Sequence, residues 1–351
     1  MNVSKYSDLE GSLNKFKRVI SSNSEYISSE IGQTPRTSVW KKNKSTLWYY
    51  SAKKKKYKTP LFLVYSLINK PYILDLTPGS SMIHAFTEEG YDVYLLDFGY
   101  LGYEDKDQTL DDYIKKHIQR GVRRALQHSK GEEITIIGFC LGGTLAAIYT
   151  AIASEPVRNL VLFAPPLDFK KSPLFNKWHK ALQTKELKLD GLLNEYNFIS
   201  AQMVRAGLKL MTAPFSYNSY LNLLQRADDE NYIKKWRCFN QWVNDHVPFS
   251  GATLKQLVND LVIDNKLINN QLIIDKEKVK LSNIKSNLLV ISTMDDQIVP
   301  ETMIKPFLTK VKSKDKLYKR VKGGHVTLAV RGALPDFLID WLQERSSPFH
   351  G

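Results

Sequence analysis

Ile134-Thr135-Ile136-Ile137-Gly138-Phe139-Cys140-Leu141-Gly142-Gly143-Thr144 is the stretch on which the reading of this chain turns. Its β-branched start, with no regular polar alternation, reads as a strand buried on both faces. The Ala-rich stretch from Thr144 to Ala153 reads as a helix. Between them stands Gly-x-Cys-x-Gly. Glycines are needed there because the turn brings strand and helix so close that Cβ atoms would clash. Residue 140 then projects at the top of the sheet, beside a helix N-terminus that favours a thiolate. Strand, sharp turn and helix are the context of a nucleophile elbow, here with cysteine in place of serine. The competing reading is a buried structural cysteine in a glycine-rich turn.

Outward from this point, short apolar runs alternate with helical segments. The runs are Leu61–Leu67, Tyr91–Asp97, Ile134–Cys140, Asn159–Pro165, Asn287–Thr293 and Leu317–Val321. The helices between them read as Ser80–Glu89, Leu110–Ser129, Leu141–Ser154, Glu301–Val311 and Leu334–Glu344. Doubly buried strands alternating with helices predict a parallel sheet covered on both faces, the α/β class. Ahead of them, Val39–Trp40 and Thr46–Tyr50 flank a polar turn and predict a hairpin. Leu9, Leu13, Phe16, Ile20, Ile27 and Ile31 recur at roughly helical spacing, so residues 1–33 form a separate amphipathic segment. The rhythm breaks between Lys170 and Ile284, where helical patches follow one another without a return strand. An insertion of residues 170–284 between late strands reads as a mainly helical cap over the carboxyl edge of the sheet. Residues 34–169 and 285–351 are left as the core. An ordinary subdomain with no gating role is the alternative for the insertion.

A thiolate at Cys140 needs a base and an orienting acid, which in this type of sheet follow the nucleophile in the order acid, then histidine. His179, His246, His325 and His350 come after it. His325 lies in Gly323-Gly324-His325-Val326, between the last strand and the last helix, where such a base belongs. His179 and His246 fall in the insertion and His350 in the tail. The acid should follow the preceding strand, where Asp295 and Asp296 stand side by side. One of them should turn to His325 and the other outward or to a helix cap. Acyl chemistry also needs oxyanion donors. The backbone N–H of Leu141 is the first, and the second is expected from the loop after the first parallel strand, around Ser66 to Lys70.

Composition sets outer limits. The 351 residues are 43% hydrophobic and 25% charged, an ordinary globular mix. No apolar run approaches the ~20 residues that cross a bilayer. Met1 to Ile20 has no apolar signal core, so the expected compartment is the cytoplasm. Two cysteines, Cys140 and Cys238, exclude a disulfide scaffold and a four-cysteine zinc site, and no metal is expected. Cys238 lies among Trp236, Phe239 and Trp242 and reads as a packed core thiol. The net charge of +14 is concentrated early: residues 1–60 hold 13 Lys or Arg against 4 Asp or Glu. No nucleic-acid motif accompanies this charge, so the run Lys53–Lys56 reads as a solvated loop and no nucleic-acid partner is expected.

The chain resembles the polyhydroxyalkanoate synthase catalytic subunits. The resemblance runs from about residue 34 to 330. It rests on Thr34-Pro35-Arg36 with Val39-Trp40-Lys41 and Leu47, on Ile68-Asn69-Lys70-Pro71-Tyr72-Ile73-Leu74-Asp75-Leu76 with Pro78-Gly79-Ser80, and on Asp97-Phe98-Gly99 with Leu110-Asp111-Asp112-Tyr113. Gly138 to Gly143, Ala213-Pro214-Phe215, Trp242 to Pro248 and Leu281 to Ile291 add to it. The resemblance implies an α/β-hydrolase fold with a mainly helical cap. It implies transfer of (R)-3-hydroxyacyl groups from CoA, through a Cys140 thioester, to the hydroxyl end of a growing polyester. The family places its aspartate before the residue preceding Ile-Val-Pro, which selects Asp296 over Asp295. Gln297 stands where the family commonly has histidine, and Gly323-Gly324-His325-Val326 departs from its usual Gly-His pattern. The short length is similar to the two-component classes, which implies a second, non-catalytic subunit, work at the granule surface, possible self-association, and no cofactor beyond the CoA of the substrate. The rival expectations are a cysteine-dependent hydrolase resembling dienelactone hydrolases and, third, an inactive relative that binds a polymer surface or partner.

Overall fold

A computed structural model describes residues 30–172, 197–209, 226 and 228–350. Most of the segment expected as an N-terminal helix, and Ala213 to Phe215 and His179 of the insertion, lie outside them. Eight strands form one sheet: β1 (Thr37–Lys42), β2 (Ser45–Tyr50), β3 (Leu61–Val64), β4 (Val93–Asp97), β5 (Ile134–Phe139), β6 (Val157–Phe163), β7 (Asn287–Thr293) and β8 (Lys316–Val321). Their order across the sheet is β1-β2-β4-β3-β5-β6-β7-β8. The expected hairpin is β1 and β2, and β2 also runs antiparallel to β4; every later pairing is parallel. Val64 pairs with Gly138, Phe139 with Phe163, and Thr293 with Val321, so the carboxyl ends of the parallel strands stand level at one edge.

Alternation along the strands divides the core in two. Phe62 and Val64, Leu96, Ile136, Leu160 and Leu162, and Val290 face one layer. Leu61 and Leu63, Leu95, Ile137, Val161, and Leu289 and Ile291 face the other. Successive Cβ atoms point to opposite faces of a strand, so a run without polar alternation buries both. Helices among the described residues include α1 (Met82–Glu88), α2 (Gln119–Ser129), α3 (Leu141–Ile152), α4 (Glu230–Asn244), α5 (Gly251–Gln256), α6 (Lys305–Lys310) and α7 (Asp336–Glu344). The first layer holds α3 residues Leu145 and Ile148, and the second holds Phe86 of α1 and Leu338 of α7. Eleven of the twelve residues of α3 are buried, Leu141 through Ala151. The helix expected over Leu110–Ser129 divides into a π-helical stretch, Asp112–Ile118, and α2. The one expected over Ser80–Glu89 gives up Ser80 and Ser81 to a two-residue strand, and Ser81 Oγ then caps α1 by accepting from the His84 N–H at 2.9 Å.

The interval after Lys170 divides by what it packs on. Leu261, Leu267, Leu272, Val279 and Ile284 are buried in the same cluster as α3, below the carboxyl edge. The segment from α4 to Pro248 instead reaches the loop after β3. Trp242 Nε1 donates to the Lys70 carbonyl at 2.9 Å, Asn69 Nδ2 donates to His246 Nδ1 at 2.8 Å, and the Val247 N–H donates to the Ile68 carbonyl at 3.0 Å.

At the amino edge the tail crosses beneath the sheet. The Ser347 carbonyl accepts from the Lys58 N–H at 2.8 Å, the Phe349 N–H donates to the Lys56 carbonyl at 2.8 Å, and Asn159 Nδ2 donates to the Arg345 carbonyl at 3.0 Å. The lysine run borders this edge. Lys53 pairs with Glu88 at 3.1 Å and Lys55 with Asp92 at 2.8 Å, so half of its charge is matched within the chain.

Candidate active site

Cys140 follows β5 directly and caps α3, with φ 51° and ψ −127°. A side-chain-bearing residue is strained in such a conformation, and it persists because the surroundings leave no alternative. The Cys140 N–H donates to the Phe163 carbonyl at 2.9 Å, and its own carbonyl accepts from the Gly143 N–H at 2.8 Å. The glycines show why the turn can be this tight. A Cβ on Gly138 would stand 2.5 Å from the Gly143 Cα, and one on Gly142 would stand 2.4 Å from the Val64 carbonyl oxygen and 2.5 Å from the Tyr65 carbonyl carbon. The first turn of α3 thus lies directly on the backbone that leaves β3.

His325 follows β8 and Asp296 follows β7. His325 Nδ1–H donates to Asp296 Oδ2 at 2.7 Å. Asp296 Oδ1 accepts from the Ile298 and Val299 N–H groups at 2.9 and 2.8 Å, so the carboxylate is held from both sides. Asp296 is buried, whereas Asp295 is exposed and uses its N–H on the Gly323 carbonyl at 3.0 Å. Burial pulls the His325 imidazole down. Its hydrogen bonds with Cys140 and Asp296, and the negative charge on those two groups, outweigh burial and raise it from 6.5 to about 10. Cys140 and His325 thus line one cavity, and Asp296 holds Nδ1 of that imidazole. Leu141 begins α3, and the first N–H groups of a helix have no partner within it.

The remaining candidates lie elsewhere. His246 is buried against Asn69, and its imidazole is pulled down by burial and then by Arg205. His350 is exposed in the tail. Cys238 is 1% exposed within α4, where burial and then Glu30 push its thiol up. Among the described residues no cluster of three His, Cys, Asp or Glu is arranged to hold a metal.

A cavity of about 20 Å³ lies over the sulfur, walled by Tyr65, Phe139, Phe163, His325, Ile291 and Leu328. That is room for about one water molecule. Phe139 and Phe163 stack with centroids 4.6 Å apart and make its floor rigid. Ser66, Leu67 and Asn69, within the stretch expected to carry the second oxyanion donor, face a second cavity instead. Tyr65 borders both. Sequence reasoning passed over this tyrosine; its signal was its place, immediately beyond a buried strand that ends beside the elbow.

Comparison with known proteins bears on the fold and the family. The family model of the α/β hydrolase fold matches residues 60–331, and that of the poly-beta-hydroxybutyrate polymerase N-terminus matches residues 4–86. The poly(3-hydroxyalkanoate) polymerase subunit PhaC of Haloferax mediterranei is 32% identical, over 90% of this chain and 65% of that relative. Its counterpart in Haloarcula marismortui is 30% identical, over 91% of this chain and 69% of the relative. That of Allochromatium vinosum is 28% identical over 90% of both. The chain thus spans about two thirds of the haloarchaeal relatives. Among solved structures, an α/β fold family hydrolase from Bacillus anthracis matches with a TM-score of 0.51 at 12% identity, covering 89% of this chain and 99% of that one. A putative lipase from Acinetobacter baumannii matches with a TM-score of 0.50 at 15% identity, covering 98% and 96%. These two bear on the fold alone. With the Haloarcula marismortui relative 30% identical over 69% of its own length, and the α/β-hydrolase model matching residues 60–331, the chain belongs to the poly(3-hydroxyalkanoate) polymerase family, on an α/β-hydrolase fold.

Proposed function

We propose that Cys140, His325 and Asp296 carry the polymerisation for which this family is named, with (R)-3-hydroxyacyl-CoA as donor and the hydroxyl end of a polyester as acceptor. The observation behind this reading is that Asp296 holds His325, which shares a cavity with the strained Cys140. His325 holds the proton, so Cys140 attacks the thioester carbonyl as a thiolate. The carbonyl electrons move to oxygen, and the Leu141 N–H stabilises the charge. Collapse expels the CoA sulfur, which takes the proton from His325. The neutral imidazole then accepts the proton of the incoming hydroxyl as its oxygen attacks the acyl-enzyme, and Cys140 departs. Asp296 keeps Nδ1 protonated throughout, which leaves Nε2 to serve the sulfur and the hydroxyl. Cysteine suits this sequence because thioester exchange is nearly neutral in free energy, and formation of the oxoester is then downhill. Coenzyme A enters with the substrate and leaves after the first step.

Polymerisation also requires that water, at roughly 55 M, be kept from the acyl-enzyme. We assign this role to the insertion of residues 170–284 acting as a cap. The small size of the cavity over Cys140 and the contacts of α4 with the loop after β3 support it. Work at the surface of a polymer granule in the cytoplasm, a second non-catalytic subunit and self-association are part of the same proposal. They rest on the resemblance to short two-component synthases. No helix among the described residues is long and apolar enough to cross a membrane. Supplied with (R)-3-hydroxybutyryl-CoA, the protein should release CoA together with high-mass polyester and little free 3-hydroxybutyrate. Equal amounts of CoA and free acid, with no polymer in the presence of the companion subunit, would replace this reading with the hydrolase.

A further inference from the structure

We infer that the phenol of Tyr65 supplies the second oxyanion donor, taking by side chain the place that the loop after β3 was expected to fill. The inference rests on Cys140 as the nucleophile. Tyr65 is the first residue beyond β3, and the Gly142 turn of α3 lies against its carbonyl, which fixes its backbone beside the elbow. Its ring is held between Phe139, at a centroid distance of 6.1 Å, and Trp242, at 6.5 Å. The residue is 5% exposed, and among the described residues its hydroxyl makes no hydrogen bond. Tyr65 lines the cavity over the sulfur together with Cys140 and His325, and it is close enough to Cys140 for the charge of the sulfur to act on the phenol. Ser66, Leu67 and Asn69, later in the loop, line only the neighbouring cavity, which Tyr65 also borders.

These facts give the phenol a role that an apolar wall would not need. As Cys140 Sγ bonds to the carbonyl carbon, the π electrons pass to the carbonyl oxygen. Tyr65 O–H and the Leu141 N–H donate hydrogen bonds to it without giving up their protons. Collapse restores the carbonyl and breaks the bond to the CoA sulfur, which leaves with the proton from His325. A donor aimed at charge that exists only in the transition state acts on rate rather than on ground-state binding.

The test is single-turnover loading of Cys140 from butyryl-CoA, read by intact mass and by CoA release. Butyryl-CoA carries no hydroxyl to extend, so the result is independent of whether the natural product is polymer or free acid. Tyr65→Phe keeps the ring and removes only the hydroxyl. Loading by this variant should slow by about 10²-fold or more, the loss typical of one oxyanion donor, with little change in the CoA-thioester concentration at half-saturation. Alkylation of Cys140 by iodoacetamide, a displacement with no oxyanion, should proceed at the wild-type rate in the same variant. Loading within about threefold of wild type would overturn the inference. So would an equal slowing of alkylation, which would place the effect on the sulfur itself. Tyr65→Leu should load as slowly as Tyr65→Phe; a loss confined to the leucine variant would reduce Tyr65 to a wall of the cavity.

Discussion

His325 keeps its proton against the pull of burial because Cys140 and Asp296 flank it with negative charge. That has a measurable sign. A histidine whose value rises from 6.5 to about 10 on folding adds stability that is fully present below pH 6.5 and is lost as pH climbs through about 10. Cys140→Ala removes one of the two flanking charges, so the His325 titration should move downward, as followed by NMR of the imidazole. The same variant should form no acyl-enzyme, whereas Cys238→Ala, in the packed interior of α4, should load normally by mass spectrometry. Asp296→Asn should reduce loading by about 10²–10⁴-fold, because the amide offers His325 Nδ1–H a weaker partner and a wrong tautomer. Asp295→Asn, at the exposed neighbour, should leave the rate within about twofold of wild type. The places of Cys140 on its turn and of His325 after the last strand were legible because turn, strand and helix signals surround them. The choice between two adjacent aspartates was not, since spacing alone does not say which of two neighbours turns inward; it was the resemblance that selected Asp296, and the geometry places that one beside the imidazole.

The elbow depends on two elements approaching to backbone contact. Gly142→Ala drives a methyl group into the Val64 and Tyr65 carbonyls, neither of which can retreat without breaking the pairing of β3. The expected cost is about 1–3 kcal/mol or more, read as a lowered Tm, with loading of Cys140 lost before the fold is. The parallel strands were readable because burial on both faces leaves an uninterrupted apolar run, and β1 with β2 because aromatic and β-branched residues flank a polar turn. The π-helical stretch Asp112–Ile118 was not readable. Its apolar spacing resembles that of an α-helix, and the two differ by one residue in hydrogen-bond reach. Nor could the sequence separate the part of the insertion that packs beside α3 from the part that reaches the loop after β3. Apolar periodicity shows that a face is buried, and not against what.

At the scale of the whole molecule, Cys140, His325 and Asp296 gather at the carboxyl edge, and α4 packs on the loop after β3 beside them. Trp242 joins the two, donating to the Lys70 carbonyl at 2.9 Å and resting its ring on Tyr65. Trp242→Ala should loosen this contact, so that a larger share of product from (R)-3-hydroxybutyryl-CoA appears as free 3-hydroxybutyrate, measured by chromatography against total CoA released. An unchanged product ratio would remove α4 from the exclusion of water. The opposite edge has a different character. There the tail is tied to Lys56, Lys58 and Asn159, a sheet's length from the sulfur. Cys140 and the tail thus lie at opposite ends of the parallel strands. Under the proposed polymerisation, a fluorescent protein or enzyme grafted onto the tail would sit clear of the emerging chain, and a bead grown by many such molecules would wear its passengers on the outside.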